Sequence, residues 1–257
     1  METLTRLLGA DALPLLFVIS ATFLLAGLVK GVVGLGLPTV AMALLGLVMT
    51  PAEAASLLIV PSAVTNAWQL LAGPNFRPLL RRLRPMLVGI CAGTLAGGAM
   101  LPRDLTGYAS TALGAALLLY AVIGLAAVRV AVPARMEAWA APAVGAATGL
   151  VTSVTGVFVI PAVPYLHGLG LDKEDLVQAL GLAFTVSTFS LAASLTLDGT
   201  FRPAVAATSF YALIPSLAGM FFGQWVRSRI RPEVFRKIFF AGLLALGAHL
   251  SLRSFMP

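Results

Sequence analysis

The sequence predicts an all-α, polytopic helical membrane protein made of two inverted repeats, each of about five hydrophobic segments and each opened by a broken or re-entrant helix. Three observations point there. Of the 257 residues, 59% are hydrophobic and only 11% charged, where a soluble domain would have roughly 25% charged. Two long apolar runs, one opening each half, are interrupted by glycine and proline. Matching residues of the two halves also recur at a nearly constant spacing.

The segments follow in order along the chain. Residues 12–52 carry one charge, Lys30, and this run is too long for one membrane helix, which needs about 20 residues. Gly27, Gly31, Gly34, Gly36 and Pro38 break it near its middle into segments 12–29 and 31–52. Segments 54–76, 85–102 and 105–128 complete the first half. In the second half residues 138–171 have no charge apart from His167 when protonated, and Gly145, Gly149, Gly156, Pro161 and Pro164 divide them in two. Segments 176–197, 203–226 and 238–252 follow. Residues 1–128 thus form a first transmembrane repeat, 129–137 a cytoplasmic linker and 138–257 a second repeat. Glu2 and Asp11 surround a single Arg6, so the N-terminus lacks the basic start and cleavage site of a signal peptide, and the first segment is expected to be retained.

Residue matches support the repeat. At an offset of 122, Gly27 falls on Gly149, Gly34 on Gly156 and Glu53 on Asp175. Phe76-Arg77-Pro78 matches Phe201-Arg202-Pro203 at 125, and Gly93 and Gly97 match Gly219 and Gly223 at 126. Slow growth of the offset is what small loop insertions produce. Both fourth segments therefore carry a Gly-x-x-x-Gly pattern, which lets helix backbones approach closely.

Loop charge orients the repeats. Arg77, Arg81, Arg82 and Arg84 lie between segments three and four, while the next loop pairs Arg103 with Asp104. The second half reverses this: Asp198 and Arg202 occupy the first of these loops, and Arg227, Arg229, Arg231, Arg236 and Lys237 gather in the second, against Glu233. Basic loops stay in the cytoplasm, so equivalent loops are expected on opposite sides of the membrane. Arg129 and Arg135 then fall inside and both termini outside. Trp139 and Trp225 beside the basic linkers read as interface anchors.

Several functions are excluded at this level. The net charge of +7 sits in short loops as a topology signal, with no basic face interleaved with aromatics, so no nucleic-acid partner is expected. Cys91 is alone, and His167 and His249 have no Cys, Asp or Glu at ligand spacing, so no metal and no cofactor are expected. No Gly-x-x-x-x-Gly-Lys run is present, and energy for any transport would come from a gradient or a separate subunit.

The stretch from Gly27 to Pro38, the Thr50-Pro51-Ala52-Glu53 loop into the third segment, and the weaker echo at residues 145–164 resemble the sulfite exporter TauE/SafE family of membrane permeases. Leu37-Pro38, and Phe158 opposite Gly36, differ from the commoner glycine-rich form of that motif. The resemblance implies a non-enzymatic secondary transporter of a small anion, a sulfur oxyanion or organosulfonate, in the cell membrane, the inner membrane in a bacterium. The lipid bilayer and the anion would be its partners, and a homo-oligomer is compatible with the sequence.

The residues themselves suit an anion. A helix broken within the membrane frees N–H groups at the start of its second part, and these with the helix dipole favour negative charge. Gly34, Gly36, Lys30, Thr39, Thr152, Ser153 and Thr155 lie at the breaks, and Asn66, Gln69, Gln178, Ser187 and Thr188 lie on the third segments. Ser62, Asn66 and Gln69 recur at helical spacing and share a face with Thr65. Lys30 has two readings, an anion ligand or a topology charge snorkelling to the far interface. Tyr165 and His167 line the second break, and with no Asp or Glu inside the charge-free runs, ion coupling would fall to Glu53 and Asp175 at their edges. The rival functions are a membrane-embedded enzyme, which lacks an acid, base or nucleophile cluster, and a non-transporting scaffold subunit.

Overall fold

The computed structural model describes residues 12–100, 106–126 and 131–253. Among them are ten helices: α1 (Ala12–Val33), α2 (Leu37–Leu45), α3 (Pro51–Leu71), α4 (Phe76–Met100), α5 (Thr106–Ala126), α6 (Ala134–Thr155), α7 (Ala162–Gly168), α8 (Lys173–Leu197), α9 (Pro203–Arg227) and α10 (Pro232–Arg253). Seven of them are long and apolar enough to cross a membrane. The protein is therefore a polytopic helical membrane protein. Many large apolar side chains, Phe17, Phe189, Phe210 and Ile214 among them, remain exposed, a surface suited to lipid rather than water.

The second helix of each half is short, at 9 residues for α2 and 7 for α7. Each follows a break that begins at a glycine of positive φ, Gly34 at 84° and Gly156 at 67°. At Gly36, with φ 111°, the chain turns into α2, and Pro38 suits the first turn because its missing N–H would have no partner there. Gly27 and Gly31 do not break the helix, contrary to the sequence reading. They lie inside α1, and Gly145 and Gly149 likewise lie inside α6. A methyl at any of the four would overlap the backbone of a packed helix, α9 for the first pair and α4 for the second. Pro164 lies within α7, so the second break is confined to residues 156–161.

The chain doubles back after each break. Val132 N donates to Gly168 O at 2.8 Å, which sets the end of α7 beside the start of α6. In the first half α1 runs alongside α9, with Gly27 against Ser216 and Gly31 against Met220. Helix α2 runs alongside α10, with Gly36 near Phe239 and Gly46 near Leu250.

Contacts between the halves come in matching pairs. Helix α1 packs on α9 as α6 packs on α4, α3 on α9 as α8 on α4, and α3 meets α8 while α5 meets α10. The match reaches single residues. Gly93 faces Ala146 and Gly219 faces Leu24; Gly97 faces Leu150 and Ser153, and Gly223 faces Leu28 and Gly31. In each comparison the glycines differ by 126 and their partners by 122.

The basic cluster of the first half is not a loop. Arg77, Arg81, Arg82 and Arg84 occupy the first turns of α4, which continues through Pro85. Arg82 reaches Glu137 of α6 through two hydrogen bonds, 2.7 and 2.9 Å long. Trp139 is exposed, and Trp225, half exposed, carries Arg229 over its ring at 3.9 Å. Glu2, Arg6, Asp11, Arg103, Asp104 and Arg129 lie outside the described residues.

Candidate functional site

Among the described residues, helix α3 supplies more buried polar side chains than any other helix. Its start is a capping box: Thr50 Oγ1 accepts from Glu53 N at 3.3 Å and Glu53 Oε2 accepts from Thr50 N at 3.1 Å. Farther in, Pro61 has no N–H for the carbonyl of Leu57. Ser209 of α9 fills the gap, donating its hydroxyl to Leu57 O at 2.8 Å and accepting from Val60 N at 3.0 Å. This fixes the helix just before its polar face, Ser62, Thr65, Asn66 and Gln69, all of which are buried.

Lys30, in the last turn of α1, is inserted against that face. It is 5% exposed and does not snorkel. Its ammonium donates to Thr65 Oγ1 at 3.1 Å and to Asn66 Oδ1. Thr65 passes its own hydroxyl to Pro61 O at 2.7 Å, and Asn66 Nδ2 donates to Thr188 Oγ1 of α8 at 3.3 Å. Lys30, Thr65, Asn66 and Thr188 thus form one polar chain across three helices. Among the described residues no carboxylate pairs with Lys30. A buried ammonium served only by neutral oxygens keeps a large part of its desolvation cost. Among the described residues, the hydroxyls of Ser62 and Ser187 and Oε1 of Gln69 are buried with no hydrogen-bond partner.

The other candidates divide by what they already bond. Gln178 Nε2 donates to Leu70 O and Gly73 O at 2.8 and 2.6 Å, and its Oε1 accepts from Asn75 N at 2.9 Å. Gln69 Nε2 donates to Val177 O at 3.1 Å. Together with Asn75 Nδ2 on Asp175 at 2.8 Å, these bonds lock the crossing of α3 and α8 at one end. Thr39, Thr152 and Thr155 donate to Gly36 O, Thr148 O and Val151 O of their own chain segment. Gly34 and Gly36 shape the first break through their backbone conformation.

At the other end of α3 and α8 lies a cavity of about 1030 Å³. Thr50, Glu53, Tyr108, Ser153, Asp198 and Arg202 contribute its polar lining. Of the two breaks, only the second reaches it, through Gly156 beside Ser153 and Val154 of α6; the end of the first, at Gly36, lies against Phe239 and Val29. Leu191 on its wall is three residues, less than one helical turn, from Thr188. The gathering of Tyr108, Asp198 and Arg202 around a cavity had no signal in the sequence, because they come from three separate segment ends. The Ser209 contact did have one: a proline inside α3 requires an outside donor for Leu57.

A family model described as "Sulfite exporter TauE/SafE" matches residues 19–250. Comparison with curated proteins and with solved structures returned no match.

Proposed function

The chain belongs to the sulfite exporter TauE/SafE family, a membrane transporter family rather than an enzyme family, and from that membership we propose that it is a secondary transporter of a sulfur oxyanion or organosulfonate. The observation that carries the reading is the burial of Lys30 among neutral oxygens. An anion beside it would supply the missing countercharge, with Ser62 and Ser187 as added donors. Asn66, Thr65 and Thr188 would hold the ammonium in place.

Residues 1–128 and 138–257 act in this reading as two inverted repeats that move against each other in alternating access. Two features support it: the cavity near Asp198 and Arg202 at one end, and the hydrogen-bonded crossing around Gln178 at the other. The first would be the open side and the second the closed one. Exchange between states would require the Gln178 bonds to break.

Flux into proteoliposomes containing only this chain tests the proposal. Sulfite or a small sulfonate should cross in a saturable manner, and Lys30→Gln should greatly weaken the saturable part. A protein that inserts fully yet carries none of these anions would be a scaffold subunit instead.

A further inference from the structure

Resting on the reading of Lys30 as the anion's ligand, we propose that the site compensates one negative charge and so selects singly charged oxyanions and sulfonates over doubly charged ones. The basis is a difference between the halves. At the offset of 122 that separates Asn66 from its bonded partner Thr188, Thr65 corresponds to Ser187 and Lys30 to Thr152. The halves thus place matched polar residues at the third helices, but of the matched first-helix positions 30 and 152 only one holds a cation. Thr152 is fully buried and donates its hydroxyl to Thr148 O at 2.7 Å.

Among the described residues, the side chains hydrogen-bonded to Lys30, and the one bonded to them in turn, add no charge. Thr65, Asn66, Ser62, Ser187 and Thr188 are neutral, and Lys30 and Glu53 are the only ionisable side chains of the Asp, Glu, Lys, Arg and His types among the described buried polar residues. Glu53 is thirteen residues, roughly 20 Å along α3, from Asn66. A monoanion on Lys30 leaves a neutral buried pair. A dianion leaves one uncompensated charge in a low-dielectric interior, and the solvation lost on transfer rises with the square of the charge. Hydroxyl donors can direct hydrogen bonds to a second charge but cannot cancel it.

Methanesulfonate and sulfate test the rule, because their charges are fixed near neutral pH and their tetrahedral shapes are similar. Titration of the full chain in nanodiscs with each sodium salt, at matched ionic strength, should show methanesulfonate binding tighter by more than about tenfold. Lys30→Gln should bind both anions at least about tenfold more weakly. Thr152→Lys, which places a second cation at the matched position, should raise sulfate affinity relative to methanesulfonate. Equal or tighter sulfate binding by the unaltered protein, still weakened in Lys30→Gln, overturns the charge rule and leaves the anion site standing. Binding of neither anion, or binding untouched by Lys30→Gln, overturns the anion site and the rule with it. A folded Thr152→Lys protein with an unchanged ratio also overturns the rule, and if that variant does not fold, the ratio in the unaltered protein decides.

Discussion

Asn66 and Thr188, bonded side chain to side chain at 3.3 Å, are 122 residues apart, the same spacing that separates the two break glycines Gly34 and Gly156. Matched positions of the two third helices therefore meet each other. In the proposed inverted-repeat arrangement only residues near the axis relating the halves can do so, and Lys30 bonds one of this pair. The polar chain consequently lies where motion of one half against the other would be felt.

The first prediction concerns Lys30. Lys30→Gln should weaken anion binding by about tenfold to a hundredfold, the value of a hydrogen bond to a charged group, with little loss of membrane insertion. Lys30→Arg should fail as well, since a planar guanidinium does not replace a compact ammonium between Thr65 and Asn66. Uptake by Lys30→Gln at the unaltered rate and affinity would remove Lys30 from the site.

The second concerns topology. In a Cys91→Ser background, single cysteines at Arg82 and Arg231 should both be protected from impermeant reagent in intact cells and react after permeabilisation. Labelling of one but not the other in intact cells would rule out inverted repeats.

Helix packing gives the third. Gly93→Ala and Gly219→Ala would each push a methyl into a backbone carbonyl, of Ala146 and Leu24 respectively. Each should cost about 1–3 kcal/mol, seen as a lower melting temperature in detergent. Gly242→Ala meets nothing within 4 Å and should melt no lower than the unaltered protein. Equal losses at all three positions would contradict the close approach of these helices.

The fourth concerns the locked crossing. Gln178→Leu strands two carbonyls and one N–H, each costing about 1–3 kcal/mol if left dry. Gln69→Leu loses one bond and should lower the melting temperature less. Equal or reversed losses would show that Gln178 is not the principal tie.

Composition and pattern were sufficient for the span architecture, since a hydrocarbon layer constrains segment length and apolarity locally. The ten segments and the breaks holding Gly34 and Gly156 were legible, and so was the common face of Ser62, Thr65, Asn66 and Gln69. Other outcomes depended on partners distant in sequence. Gly27 and Gly31 read as breaks, yet a glycine facing another helix at close range is a packing surface, and only α9 decided that. Lys30 had two readings because one helix carries it toward the interface; the acceptors on α3 drew it inward instead. Gln178 suited an anion by residue type, but the stranded carbonyls of Leu70 and Gly73 claimed its amide. A sequence shows which groups need hydrogen-bond partners, whereas the packing of helices far apart in the chain determines which partners they find.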